Sequence, residues 1–206
     1  MQNKYEQSLK FSQGSNYKLI VDSFGKDRFK LNEPLKDYTV LESGGEAKIF
    51  FIAFTTSELI KIVKMCRQLK LPFFIFGTGS KMMISDAGFQ GLVIKNRTKN
   101  IKTISVKGKV TKWGIGVEEA LVEVDSGVSI SKFCEYLDSQ NLQIDQLLNI
   151  TGSIGGNIGL NRFLQTKVKS IKVLDQLSEV EEISVDKLNI RQDIILSIVF
   201  KIQAKH

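Results

Sequence analysis

The stretch FIFGTGSKMMISDAGFQGLVI, residues 74–94, sets two apolar runs either side of a glycine-rich turn. Phe73–Phe76 and Leu92–Ile94 are β-prone and short, as buried strands are. Glycine permits positive φ and lets another backbone or a ligand approach closely. A glycine turn after a strand points successive N–H groups into one concavity, which suits a phosphate. Residues 77–80, GTGS, fit that description, and Ser80 adds a hydroxyl. The pattern is not a phosphate-binding Gly-Lys-Ser/Thr loop, and it is not the G-x-G-x-x-G dinucleotide fingerprint.

The flanking sequence places this loop in a strand–helix–strand unit. AKIFFIAF, residues 47–54, reads as a strand. Thr55 to Glu58 offer a hydroxyl cap and an acidic first turn. Leu59, Ile60, Ile62, Val63, Cys66 and Leu69 recur at helical spacing until Pro72 intervenes. The order predicts parallel, adjacent strands at 47–54 and 73–76, with LVIK at 92–95 as a third strand.

Beyond residue 100 the pattern changes. ISVKGKVTKWGIG predicts a hairpin turning at Lys107-Gly108-Lys109, with Trp113 as strand packing. Glu118 and Glu119 read as a solvated turn. LVEVDSG is a strand, Ser129 opens a helix through Phe133, Cys134 and Leu137, and SIKVLD, EEISV and DIILSIVFKI are three further strands. NITGSIGGN, residues 149–157, is a second uncharged loop rich in glycine and hydroxyls. On spacing alone the two loops are either ordinary tight turns or two halves of a pyrophosphate site.

Composition narrows the chemistry. The chain has 206 residues, 42% hydrophobic and 25% charged, with a formal net charge of +7. Lysine supplies most of the positive charge. Arg28, Arg67, Arg97, Arg162 and Arg191 are scattered, unlike the forks of a base reader, so nucleic acid is not an expected partner. The only histidine is His206, so a zinc cluster or a Ser–His nucleophile is not expected. Cys66 and Cys134 read as free thiols. The polar start and the lack of a long apolar run point to a cytoplasmic protein without a membrane span.

Four stretches together resemble the flavin-binding part of the UDP-N-acetylenolpyruvoylglucosamine reductase family. They are EPLKDYTVLESGGEAKIFFIA, FGTGSKMMISDAGFQGLVIKN, VEVDSGVSISKFCEYLDSQNL and ITGSIGGNIG. The resemblance covers about residues 30–203. It implies an α+β fold of two α/β subdomains, the FAD-binding PCMH or vanillyl-alcohol-oxidase type. Residues 1–30 would be an amino-terminal extension, 31–98 the first subdomain and 99–206 the second. It also implies that FAD is held noncovalently by Gly77, Thr78, Gly79, Ser80, Lys81 and Met82 of one loop. The second loop would contribute Thr151, Gly152, Ser153, Ile154, Gly155, Gly156 and Asn157.

The departures matter for activity. Lys81 stands where the family has asparagine, Thr151 where it has proline, and GLNRFLQT follows the Gly-Gly pair. KLNIRQDIILSIVF, with Arg191, replaces a Tyr-Arg-x-Ser motif. The family's proton-donating serine and assisting glutamate have no counterpart here, so no catalytic residue is expected. The expectation is a flavoprotein module that transfers electrons or works with a partner, as a homodimer or with a second subunit. The alternative is a relic of the fold that binds no flavin.

Overall fold

The computed structural model describes residues 15–111, 114–144 and 147–205. The chain divides into two compact units, Met1–Asn96 and Arg97–His206. Trp113 and His206 lie outside the described residues.

The first unit is built on a four-stranded sheet. Its strands are β1 (Phe29–Pro34), β2 (Glu46–Ala53), β3 (Phe73–Phe76) and β4 (Phe89–Asn96), in the order β1-β2-β4-β3. β1 is antiparallel to β2, whereas β2 and β3 both run parallel to β4. The strands at 47–54 and 73–76 are therefore parallel but not adjacent, which corrects the sequence expectation. β4 separates them because Leu92, Val93 and Ile94 are buried on both sides, which suits a central strand.

Two helices cover one face. Ile20 of α1 (Ser15–Phe24) is buried, and Phe24 meets Phe51 edge to face with centroids 5.0 Å apart. α2 (Thr56–Gln68) buries Leu59, Ile62, Val63 and Cys66. The Thr55 hydroxyl caps α2 by accepting from the Glu58 amide, and Glu58 Oε2 accepts from the Phe54 amide at 2.8 Å. α2 ends before Pro72. The Leu71 amide donates to Cys66 O and the Lys70 amide to Arg67 O, with Lys70 at φ +52°. That is a Schellman ending with lysine where glycine is usual.

The other face buries Leu35, Phe50, Phe76, Met82 and Val93, with Tyr38 and Ile84 packed against them. Alternate residues of β2 point to opposite faces, so Phe50 and Phe51 serve different layers. The segment 77–88 closes this second face while linking β3 to β4.

The second unit is an antiparallel sheet. Its strands are β5 (Ile101–Thr111), β6 (Gly114–Asp125), β7 (Leu142–Gln143), β8 (Val168–Leu174), β9 (Val180–Ile183) and β10 (Ile194–Ala204). The order is β5-β6-β10-β8-β9, with β7 also on β10. α3 (Ile130–Ser139), α4 (Ile154–Ile158) and α5 (Arg162–Thr166) contribute Phe133, Leu137, Ile154, Ile158 and Leu164 to a core with Val122, Val124, Ile171, Ile198 and Phe200. The sheet's outer face is charged. Lys102 and Lys172 pair with Glu123, and Lys201 pairs with Glu119.

Two expectations fail here. Lys107-Gly108-Lys109 is not a turn, since β5 runs through it to Thr111. Gly108 instead marks a register shift against β6, a usual place for glycine within a strand. Glu118 and Glu119 are in β6, not a turn, and each is held by a lysine, Glu118 by Lys107 at 3.0 Å and Glu119 by Lys201 at 2.9 Å.

Candidate cofactor-binding loops

The first loop leaves β3 at Phe76 and turns at once. Gly79 has φ +80°, and a Cβ there would lie 1.9 Å from Tyr38 O. Only glycine fits this contact, and it presses the loop onto the 3₁₀ turn Leu35–Tyr38. The Met82 amide donates to Gly79 O at 3.2 Å, and the Met82 side chain is buried in the core below. Farther along, the Gly45 amide donates to Ser85 O and the Gly88 amide to the same oxygen. The loop is thus fastened to segment 38–46 at both ends.

Thr78 and Lys81 are exposed, and Gly77 and Ser80 are half-buried. The Thr78 and Ser80 hydroxyls are 3.2 Å apart. Among the described residues, none accepts a hydrogen bond from the amides of Thr78, Gly79 or Ser80. Unsatisfied amides in a glycine turn form a partial positive charge without a formal cation.

The second loop is fixed in a different way. The Ile130 amide donates to Gly152 O and the Ile154 amide to Val128 O, a short bridge between 128–130 and 152–154. The Gly155 amide donates to Ser126 O at 2.9 Å, and a Cβ on Gly155 would come within 2.8 Å of the Ser126 Cβ. Ser153 Oγ accepts from the Gly156 amide. Asn157 is fully buried, and its Nδ2 donates to Thr151 O at 3.0 Å and Ser153 O at 2.8 Å.

Ile154, Gly155, Gly156 and Asn157 therefore use their backbone donors inside the protein. Among the described residues, none accepts from the amides of Thr151, Gly152 or Ser153. Thr151 and Gly156 are exposed, and Gly152 has φ +108°. Each unit thus presents a neutral loop with unengaged amides, hydroxyls and positive-φ glycine. That donor set fits a diphosphate.

A family model described as an FAD binding domain matches residues 47–184, a span that includes both loops. The chain belongs to the FAD-binding domain family. Its cofactor is FAD. The chain is 27% identical over 180 residues to UDP-N-acetylenolpyruvoylglucosamine reductase of Alkaliphilus metalliredigens, covering 84% of this chain and 55% of that one. It spans about half the length of the curated relatives it matches. Its fold matches the reductase of Thermus caldophilus with TM-score 0.62 at 20% identity, covering 86% of this chain and 62% of that one. It also matches p-cresol methylhydroxylase with TM-score 0.58 at 13% identity, covering 93% and 44%. The fold is the α+β, PCMH-type FAD-binding fold.

The sequence did not single out Tyr38, whose carbonyl sets the position of Gly79, or Gly45 and Gly88, which fasten the loop's far end. Gly-Gly at 44–45 within the quoted EPLKDYTVLESGGEAKIFFIA was the available signal. Arg191 is exposed, in a turn where its amide donates to Asn189 Oδ1. Cys66 is buried, and desolvation pushes its thiol up to about 12; burial and Asp138 also raise Cys134. Among the described residues no helix is long and apolar enough to cross a membrane.

Proposed function

We propose that the backbone donors of the two loops, one in subdomain 31–98 and one in subdomain 99–206, bind the diphosphate of FAD. The donors of the first loop are the amides of Thr78, Gly79 and Ser80, and those of the second are the amides of Thr151, Gly152 and Ser153. The observation that carries this reading is the set of unengaged amides in both loops, inside the span that matches the family. Gly77 opens the first turn, and Lys81 stands exposed beside it. Met82, Ile154, Gly155, Gly156 and Asn157 set the shape of the loops through buried side chains and internal bonds.

FAD, when bound, supplies hydride chemistry at its flavin ring. The chain's own part is to bind and orient it noncovalently in a cytoplasmic protein. Neither cysteine is a thiolate at neutral pH, since burial raises both, so a covalent thioether is disfavoured. Reduction of an enolpyruvyl sugar nucleotide also needs a positioned acid. In this reading the module works with a homodimer partner or second subunit. Exposed Val40, Leu41 and Met83 near the first loop support a covered surface there.

The absorbance of purified protein from about 350 to 500 nm tests the cofactor. Flavin bands that survive gel filtration and pass into the supernatant on acid precipitation are expected. A colourless protein that takes up no FAD on incubation would favour the relic. Turnover of NADPH and enolpyruvyl sugar nucleotide by the purified chain alone would overturn the partner requirement.

A further inference from the structure

Among the described residues, β3 is the one sheet edge without a charge. The first sheet ends in β1 and β3, the second in β5 and β9. β1 carries Lys30 and Glu33, β5 carries Lys102, Lys107 and Lys109, and β9 carries Glu181 and Glu182. Charges on an edge strand are a usual guard against pairing with another chain. From Leu71 to Ser80 no residue is charged, and β3 itself reads FFIF. The backbone of this edge is also open. The Leu92 amide donates to Pro72 O, and Phe73 pairs with Leu92 in parallel register. The ladder to β4 therefore uses the backbone groups of Phe74 and Phe76, while those of Phe73 and Ile75 point away from it. Among the described residues, none bonds to those groups of Phe73 or Ile75. Phe74 is 38% exposed, although Phe76 and Phe89 lie beside it, each with ring centres 6.3 Å away.

A second copy of the same strand fits this edge. Laid antiparallel across a two-fold axis at Phe74, β3 sets Phe73 opposite Ile75 of the second copy, and Ile75 opposite Phe73. Each such pair exchanges both of its N–H···O=C bonds, so the open groups of the two residues satisfy one another with none left over. Phe74 meets its own equivalent at the closer, non-bonded spacing of about 4.5 Å between Cα atoms. That contact forms on the face that already holds Phe76 and Phe89, and cross-strand aromatic pairs stabilise such a seam. The half-buried Phe73 and Ile75 meet on the opposite face. A two-fold contact uses the edge completely and stops at two copies. We propose that β3 is a self-association edge, through which the four-stranded sheets of two copies join into one continuous sheet. This gives the homodimer partner of the proposed function a specific contact, and it is independent of FAD binding.

The test is the mass in solution of the unaltered chain, Phe74→Lys, Phe74→Glu and an equimolar mixture of the two variants, from light scattering after gel filtration and from native mass spectrometry. The unaltered chain should run as a dimer at high concentration and dissociate on dilution. Either variant alone sets like charges face to face at the axis and should run as a single chain. The mixture sets lysine against glutamate and should restore a dimer holding one chain of each kind. Hydrogen exchange checks the same contact without a substitution. The amides of Phe73 and Ile75 should be protected at high concentration and lose that protection on dilution, while those of Phe74 and Phe76 stay protected at both. A dimer that survives both substitutions, a mixture that stays monomeric, or Phe73 and Ile75 amides that exchange alike at every concentration overturns this edge and leaves a homodimer through another surface standing. An unaltered chain of monomer mass at every concentration overturns the homodimer and leaves a second subunit as the partner. Flavin absorbance reads the FAD proposal separately in each case.

Discussion

The carbonyl oxygen of Tyr38 occupies the space where a side chain on Gly79 would begin, 1.9 Å from the Cβ position. Positive φ and backbone contact act together at this point. Gly79→Ala should therefore lower stability by about 2–3 kcal/mol and displace the loop. Urea denaturation reads the first effect and flavin titration the second.

Gly156→Ala is the informative contrast. A Cβ there meets only Ser153 Oγ, at 3.2 Å, and the residue lies within α4. Alanine gains up to about 1 kcal/mol of helix propensity over glycine. Stability should hold or rise slightly, whereas FAD affinity should fall if the ligand passes over this exposed glycine. Unchanged affinity would place the ligand elsewhere on the loop.

Glu123 should set part of the acid limit of the fold. Burial pushes its carboxyl up, but hydrogen bonds from Lys102 and Ser197 and the nearby Lys172 outweigh that and bring it to about 2. A depressed carboxyl stabilises the fold above its unfolded value of about 4.3, and the contribution is lost as pH falls towards 2. Denaturation midpoints should fall across that window. Glu123→Gln should cost about 1–2 kcal/mol at neutral pH and flatten the acid limb.

Lys70 holds a left-handed conformation that glycine adopts without strain. Its two capping bonds use backbone atoms only and survive any substitution that keeps the turn. Lys70→Gly should stabilise the protein by about 0.5–1 kcal/mol, measurable as a higher thermal midpoint, with FAD binding unchanged.

Cys66 should resist thiol reagents until the protein unfolds. Its thiol is fully buried and raised to about 12, against about 8.5 in an open chain. A raised thiol stabilises the fold below the unfolded value and ceases to as pH climbs towards 12. Alkylation at mildly alkaline pH should track global unfolding, and rapid labelling of Cys66 in folded protein would contradict the burial.

The sequence made local structure legible where one short-range signal dominated. Thr55 and Ser129 were readable as caps, and the apolar runs marked β2, β4, β6 and β10. The order β1-β2-β4-β3 was not, because strand adjacency depends on contacts distant in sequence. Lys107-Gly108-Lys109 misled because the same three residues suit a turn or a bulge, and pairing with β6 decides between them. At the loops, glycine spacing and resemblance marked the residues. Which amides remain available was hidden, since Ser126, Val128 and Tyr38 engage or abut the loops from elsewhere in the chain.

The segment 77–88 has a second duty as the crossover between neighbouring parallel strands, made without a helix. Inserting or deleting a residue there would shift β4 against β3 as well as move the glycine turn at 77–80. Evolution can therefore retune this loop by exchanging side chains but not by changing length, and a ligand bound on it would brace the neighbouring strand β4.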